Sequence, residues 1–287
     1  MAERLRMLNT IVLPVVAPML VCGAVLIIAW RLRDRGRLIR ATALGLGYLS
    51  CHIIVDGWPA FPPHETWQWL FALVVGAMVI GGLDAVGRQP LILRVIGAAV
   101  LAGTSGWLIV LANQEHLWIH RTTVAALLLL WLLTMQLITS RSRGASVSMP
   151  LCVAFVGVSL VLVLSGNAKL AQLAGGAAAC LGAATLVAWW RAPAGFGCES
   201  IAVAGVLTIG LAYSGYSLSF SNVPAWAYLV AVAAPLAVWI GALPQSRKLG
   251  GWKAVTLTTL ITLVISGIAV VRAYIAWRAD SANDPYL

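Results

Sequence analysis

Uncharged apolar runs of roughly twenty residues recur along this 287-residue chain, and they decide what it can fold into. Wound at about 1.5 Å per residue, one such run covers the ~30 Å hydrocarbon core of a bilayer. No water is present there to satisfy peptide groups, so only helices or a closed barrel can cross. Barrel strands would alternate in polarity over about ten residues, and these runs do not. Composition agrees: 10% of the residues are charged, against roughly 25% in soluble domains. The expected fold is an all-α, polytopic transmembrane helix bundle, with residues 1–287 forming a single integral membrane domain.

On this ruler ten spans are expected: 10–30, 38–56, 67–86, 91–112, 118–139, 149–166, 170–190, 200–220, 224–243 and 252–277. The sixth is the shortest. The first follows Met1 to Asn9 with no small-x-small cleavage site after it, so it reads as a helix rather than a signal peptide. Of the nineteen Lys and Arg residues, thirteen follow the odd-numbered spans: Arg31, Arg33, Arg35, Arg37, Arg40, Arg88, Arg94, Arg141, Arg143, Arg191, Arg247, Lys248 and Lys253. The loops after the even-numbered spans carry only Arg121 and Lys169. Basic residues collect in cytoplasmic loops, which puts the odd loops inside and both termini outside. Arg4 and Arg6 pull the other way, against the larger number after the first span. The tryptophans fit this map, because an indole with an apolar body and one N–H donor settles at the headgroup level. Trp30, Trp189, Trp190 and Trp252 stand at inner helix ends. Trp58, Trp67, Trp69, Trp118, Trp226 and Trp277 stand at outer ends.

A weak internal repeat runs at a period of 159 residues. Gly23-Ala24 recurs as Gly182-Ala183, and Ala29-Trp30 as Ala188-Trp189. Trp67 matches Trp226, Gly82 matches Gly241 and Arg88 matches Arg247. Spans 1–4 would then duplicate spans 7–10, as halves 10–112 and 170–277 joined by spans 118–166, and both units would point the same way. Parallel repeats of this kind occur in transporters, although Gly, Ala, Leu and Trp also match by chance in such a composition.

Polar chemistry concentrates in and around residues 51–69 and 115–120. His52, Asp56, His64, Glu65, Glu115, His116 and His120 include all four histidines of the chain, and all fall at expected outer ends of spans 2 to 5. His52 and Asp56, four apart, share a helix face, where a carboxylate can orient an imidazole. His116 and His120 have the same spacing and would project together if the helix starts by residue 115, an arrangement suited to a metal or haem. The Pro-Ala-Phe-Pro-Pro segment between should be stiff, since proline fixes φ. The expectation is one outer-facing ligand pocket formed by these seven residues, with His52, His116 and His120 as metal or haem candidates. The bland alternative is that these are ordinary residues of wet loops. His52 fits that least well, because it lies about one turn inside the apolar run, where an unpaired ionisable group is costly.

Other signals are absences. Cys22, Cys51, Cys152, Cys180 and Cys198 form no C-x-x-C pair and read as small packing residues rather than a zinc or disulfide set. The net charge of +10 belongs to topology rather than to nucleic-acid binding. No Asp, Glu, Lys or Arg lies near the middle of a span, which counts against an ion-driven pump. The reading that follows is a transporter-like protein for an uncharged or lipophilic small molecule in a bacterial cytoplasmic membrane, with the lipid bilayer as its partner. The alternative is a membrane subunit of a larger, redox-type assembly, partnered by other membrane subunits. An enzyme would need a constellation beyond the His/carboxylate group.

Overall fold

A computed structural model of the chain describes residues 12–32, 36–86, 90–111, 114–141, 144–191, 196–242 and 251–282. Met1 to Asn9 and the loop residues Arg33, Arg35, Arg88, Arg143, Arg247 and Lys248 lie outside the described residues. Regular structure among the described residues is helical. The helices are α1 (Leu13–Arg31), α2 (Gly36–Asp56), α3 (Trp69–Val86), α4 (Leu91–Ile109), α5 (Leu117–Arg141), α6 (Ala145–Leu164), α7 (Ala168–Trp190), α8 (Ile201–Ser217), α9 (Ala225–Ala233), α10 (Val238–Ala242) and α11 (Gly251–Ala282). Short 3₁₀ turns precede α3 at Thr66–Gln68, precede α8 at Cys198–Ser200, and join α9 to α10 at Ala234–Ala237.

Among the described residues nine helices are long and apolar enough to cross a membrane, as an integral membrane protein requires. The expectation of ten full spans is corrected at the ninth. Ala225–Gly241 is a shorter apolar helix, and Pro235 lies in its 3₁₀ segment. Proline has no N–H to give the turn before it, so regular α-helix stops at Ala233 and resumes at Val238. The piece still runs antiparallel to α11. Trp226 lies by Arg272 at one end, and a Cβ on Gly241 would stand 2.6 Å from Thr258 at the other. Conversely, the expected short sixth span is a full 20-residue helix that begins earlier, at Ala145.

Helix α8 occupies the centre: 89% of its span is buried, and it touches α2 through α7 and α9. Three glycines make this close packing feasible. Gly205, Gly210 and Gly215 are five residues apart, so each points about 140° around the axis from the last. A Cβ on Gly205 would meet Trp131 and Leu132 of α5, one on Gly210 would meet Leu70 of α3 and Ile109 of α4, and one on Gly215 would meet Leu162 of α6 and Tyr228 of α9.

Helices α1, α2 and α7 form a second tight unit, and its seam explains three cysteines. Pro18 lies inside α1 and lacks an N–H, so the Pro14 carbonyl has no i+4 helical donor. The Cys51 thiol donates to that carbonyl at 3.2 Å. Cys180 donates to the Pro18 carbonyl and Cys22 donates to the Cys180 carbonyl, each at 3.4 Å. Cys152 on α6 donates to Ala178 at 3.2 Å. Gly47 and Gly176 admit these sulfurs: a Cβ would lie 2.4 Å from Cys180 Sγ at Gly47, and 2.4 Å from Cys51 Sγ at Gly176. The packing gives the expected duplication no support, because α1 lies along α2 while the corresponding pair, α7 and α8, meets over a much smaller area.

Candidate functional site

Four of the seven polar residues singled out above gather at one end of the bundle, around a residue that was not among them. Gln68, in the 3₁₀ turn, accepts through Oε1 from the backbone N–H groups of His64 and Glu65 at 3.0 and 3.2 Å. Its Nε2 donates to Asp56 Oδ2 at 2.9 Å. Asp56 Oδ1 in turn accepts from Lys169 Nζ of α7 at 2.9 Å. The Glu65 carboxylate accepts from the indole N–H of Trp67, and the Lys169 ammonium stands 5.9 Å from the Trp67 ring centroid. This network ties α2, the turn before α3 and α7 together, and it consumes its own polar groups. It reads as a latch. The side chains of His64 and Glu65 are exposed.

His52 lies beneath the latch and is completely buried. Its ring is enclosed by Trp67, Phe71 and Tyr48, at centroid distances of 5.6, 5.4 and 6.1 Å. Neither ring nitrogen, nor the Tyr48 hydroxyl four residues before, has a hydrogen-bond partner among the described residues. The Asp56 carboxylate, four residues on, is directed to Gln68 and Lys169 instead of to the imidazole.

The remaining three residues sit elsewhere. Helix α5 begins at Leu117, not by residue 115, and His116 lies outside it with a φ of 56°. The expected His116/His120 pair on one helix face is therefore not formed. The chain turns back from α4 to α5 in a few residues, and a left-handed residue makes that reversal. His116 serves the helix through its carbonyl, which accepts from Ile119 and His120 at 2.8 and 3.3 Å. Glu115 and His116 are exposed, while His120 packs against Tyr213 of α8 at 6.2 Å. Among the described residues no hydrogen bond, ion pair or ring contact joins this group to His52 or Asp56. Nor do any three His, Cys, Asp or Glu side chains among the described residues gather as a metal site would need, so the geometry gives the metal candidates His52, His116 and His120 no support.

A groove between α1, α6 and α7 has the dimensions of a binding site. It encloses about 710 Å³, within the range of small-molecule pockets. Its floor on α7 is small-sided, with Gly175, Ala179 and Gly182. Its walls include Met19 of α1 and Met149 and Val156 of α6. From Gly175 to Trp189 it extends about 21 Å along α7. Its hydroxyls and thiol are already satisfied by the protein. Ser159 donates to the Ala171 carbonyl at 2.8 Å and Cys152 donates to Ala178. The Thr185 hydroxyl bonds the Leu181 carbonyl and the Ser148 hydroxyl, at 2.8 and 2.9 Å. Such a wall offers an occupant mainly dispersion contacts, with the indole N–H of Trp189 as a polar group at one end.

Several of these features escaped the reading of the chain. Gln68, three residues after Glu65, has the spacing of a helix-capping pair, which could have flagged it. Lys169 and the groove become visible only once α7 is placed beside α1 and α2. At the opposite end of α2, about 24 Å from Asp56, Arg40 pairs with the buried Glu199 at 3.4 Å, and Arg94 with Asp84 at 3.6 Å. The 3₁₀ turn Cys198–Ser200 presses the Glu199 carbonyl against Gly81. Compared with protein-family models, with curated proteins and with solved structures, the chain matches none.

Proposed function

We propose that this integral membrane protein is transporter-like and takes an uncharged, lipophilic, chain-shaped molecule sideways from the bilayer into the groove between α1, α6 and α7. One observation carries the reading: the groove is long and apolar, and its hydroxyls and thiol are already hydrogen-bonded to the protein. A polar ligand would find little beyond the Trp189 indole to replace its water there, and would pay for lost hydration. An alkyl chain gains dispersion contacts with no such cost. A test follows from the small floor. A Cβ at Gly175 or Gly182 would stand 3.6 Å from Ser159 Oγ or 3.8 Å from Cys152 Sγ, ordinary contact distances, so leucine at either position fills the groove without forcing backbone apart. Organic extracts of the purified wild type should contain a lipophilic compound, and extracts of Gly175→Leu and Gly182→Leu should lose it. Equal amounts in all three would refute the proposal.

A second reading, membership in a larger membrane assembly, is favoured by the latch end of the molecule. Trp58, Phe61 and Phe220 are 78%, 85% and 86% exposed there, large apolar side chains of the kind that partners cover. Co-purification of a stoichiometric second subunit would favour this reading. The same end is proposed to face outward from a bacterial cytoplasmic membrane.

A further inference from the structure

Arg272 sits on α11, about 7 Å inside Trp277 along the helix, where an unpaired guanidinium is costly. Ion pairs among the described residues join Arg40 to Glu199, Arg94 to Asp84 and Lys169 to Asp56, and none reaches Arg272. The acid on its own helix, Asp280, is engaged by the backbone N–H and side-chain amide of Asn222 at 2.7 and 2.9 Å. What Arg272 has instead is the Trp226 ring on α9, with 5.9 Å from the guanidinium carbon to the ring centroid. Both residues line one end of a groove of about 460 Å³ that continues over Val271, Ile268 and Gly267. At Gly267 nothing lies within 4 Å of where a Cβ would stand, so the groove floor is open. It is a second site, separate from the groove of α1, α6 and α7.

We infer that this groove binds a phospholipid, with its phosphate on Arg272 beside Trp226 and an acyl chain lying over Gly267 toward Val264. The charge distribution selects this occupant. One cation stands at a depth marked by tryptophans, which belong at the headgroup level, and below it some 12 Å of wall along α11 is wholly apolar. A guanidinium matches phosphate with paired N–H donors. A free phosphate would leave the apolar length unused, and a passing helix would have to bring a carboxylate to this depth.

The test uses the full-length protein, delipidated in detergent and titrated with phosphatidylglycerol while bound lipid is counted by native mass spectrometry. Diacylglycerol with the same chains supplies the apolar part without the phosphate, and inorganic phosphate supplies the reverse. Wild-type protein is expected to retain phosphatidylglycerol at least about tenfold more tightly than diacylglycerol. Arg272→Gln should abolish that preference, Arg272→Lys should keep part of it, and Gly267→Leu should weaken both lipids. Inorganic phosphate should displace neither lipid. Unchanged phosphatidylglycerol binding by Arg272→Gln, equal retention of the two lipids by wild type, or displacement by inorganic phosphate would each overturn the inference. If Arg272→Gln does not fold, the Gly267→Leu titration and the wild-type lipid comparison decide it.

Discussion

The Cys51 thiol shows how one side chain can stand in for a missing backbone donor. Pro18 takes away the N–H that would have reached the Pro14 carbonyl, and Cys51 supplies a weaker one from α2. Removing the thiol leaves that buried carbonyl unpaired and opens a small void. Cys51→Ala should therefore lower stability by about 1–2 kcal/mol. Cys51→Ser, which keeps a donor in the same place, should recover most of the loss. Thermal unfolding in detergent reads both, and an alanine variant as stable as wild type would show that the thiol is only filler. In the sequence these cysteines are legible as packing residues, but not as donors. That role depends on α1 and α7 lying against α2, which puts Cys180 beside Pro18 from 162 positions away.

At the scale of elements, apolar length located every helix, and the misses have local causes. Pro235 breaks the ninth run because it has no N–H for the turn before it, whereas a length count weighs it as one apolar residue among many. His116 keeps α5 from starting by residue 115, because a tight reversal from α4 needs a left-handed residue. His52, Asp56, His64 and Glu65 do share one end of the bundle, since a single stiff loop connects them. Their closing partners, Gln68 and Lys169, had to come from a turn and from another helix. Helix α3 offers a sharper test of packing, through two of its glycines. A Cβ on Gly81 would fall 2.0 Å from the Glu199 carbonyl oxygen, and one on Gly76 would meet nothing within 4 Å. Backbone cannot rotate away as a side chain can, so Gly81→Ala should cost about 2–3 kcal/mol or prevent folding. Gly76→Ala should stabilise by about 0.5–1 kcal/mol through helix propensity. The reverse order in thermal unfolding would mean that the turn Cys198–Ser200 does not press on α3.

For the whole molecule, the basic residues propose an orientation and the packing supplies sidedness. Asp56, Lys169 and the latch occupy one end, while the Arg40–Glu199 and Arg94–Asp84 pairs occupy the other. With the positive-inside rule, a reporter fused after Trp58 should read as outside and one fused after Arg143 as inside; the opposite pair of results would invert the molecule. The central claim, that an apolar chain occupies the groove of α1, α6 and α7, is most directly tested by photocrosslinking. A long-chain alcohol carrying a chain-terminal diazirine is incubated with the protein in membranes, illuminated, and its adducts are mapped by peptide mass spectrometry. The account predicts adducts concentrated on groove residues such as Met19, Met149, Val156 and Ala179, and lost in Gly182→Leu. Adducts spread evenly over lipid-facing residues such as Leu83, Leu130 and Leu263, and unchanged by Gly182→Leu, would contradict it.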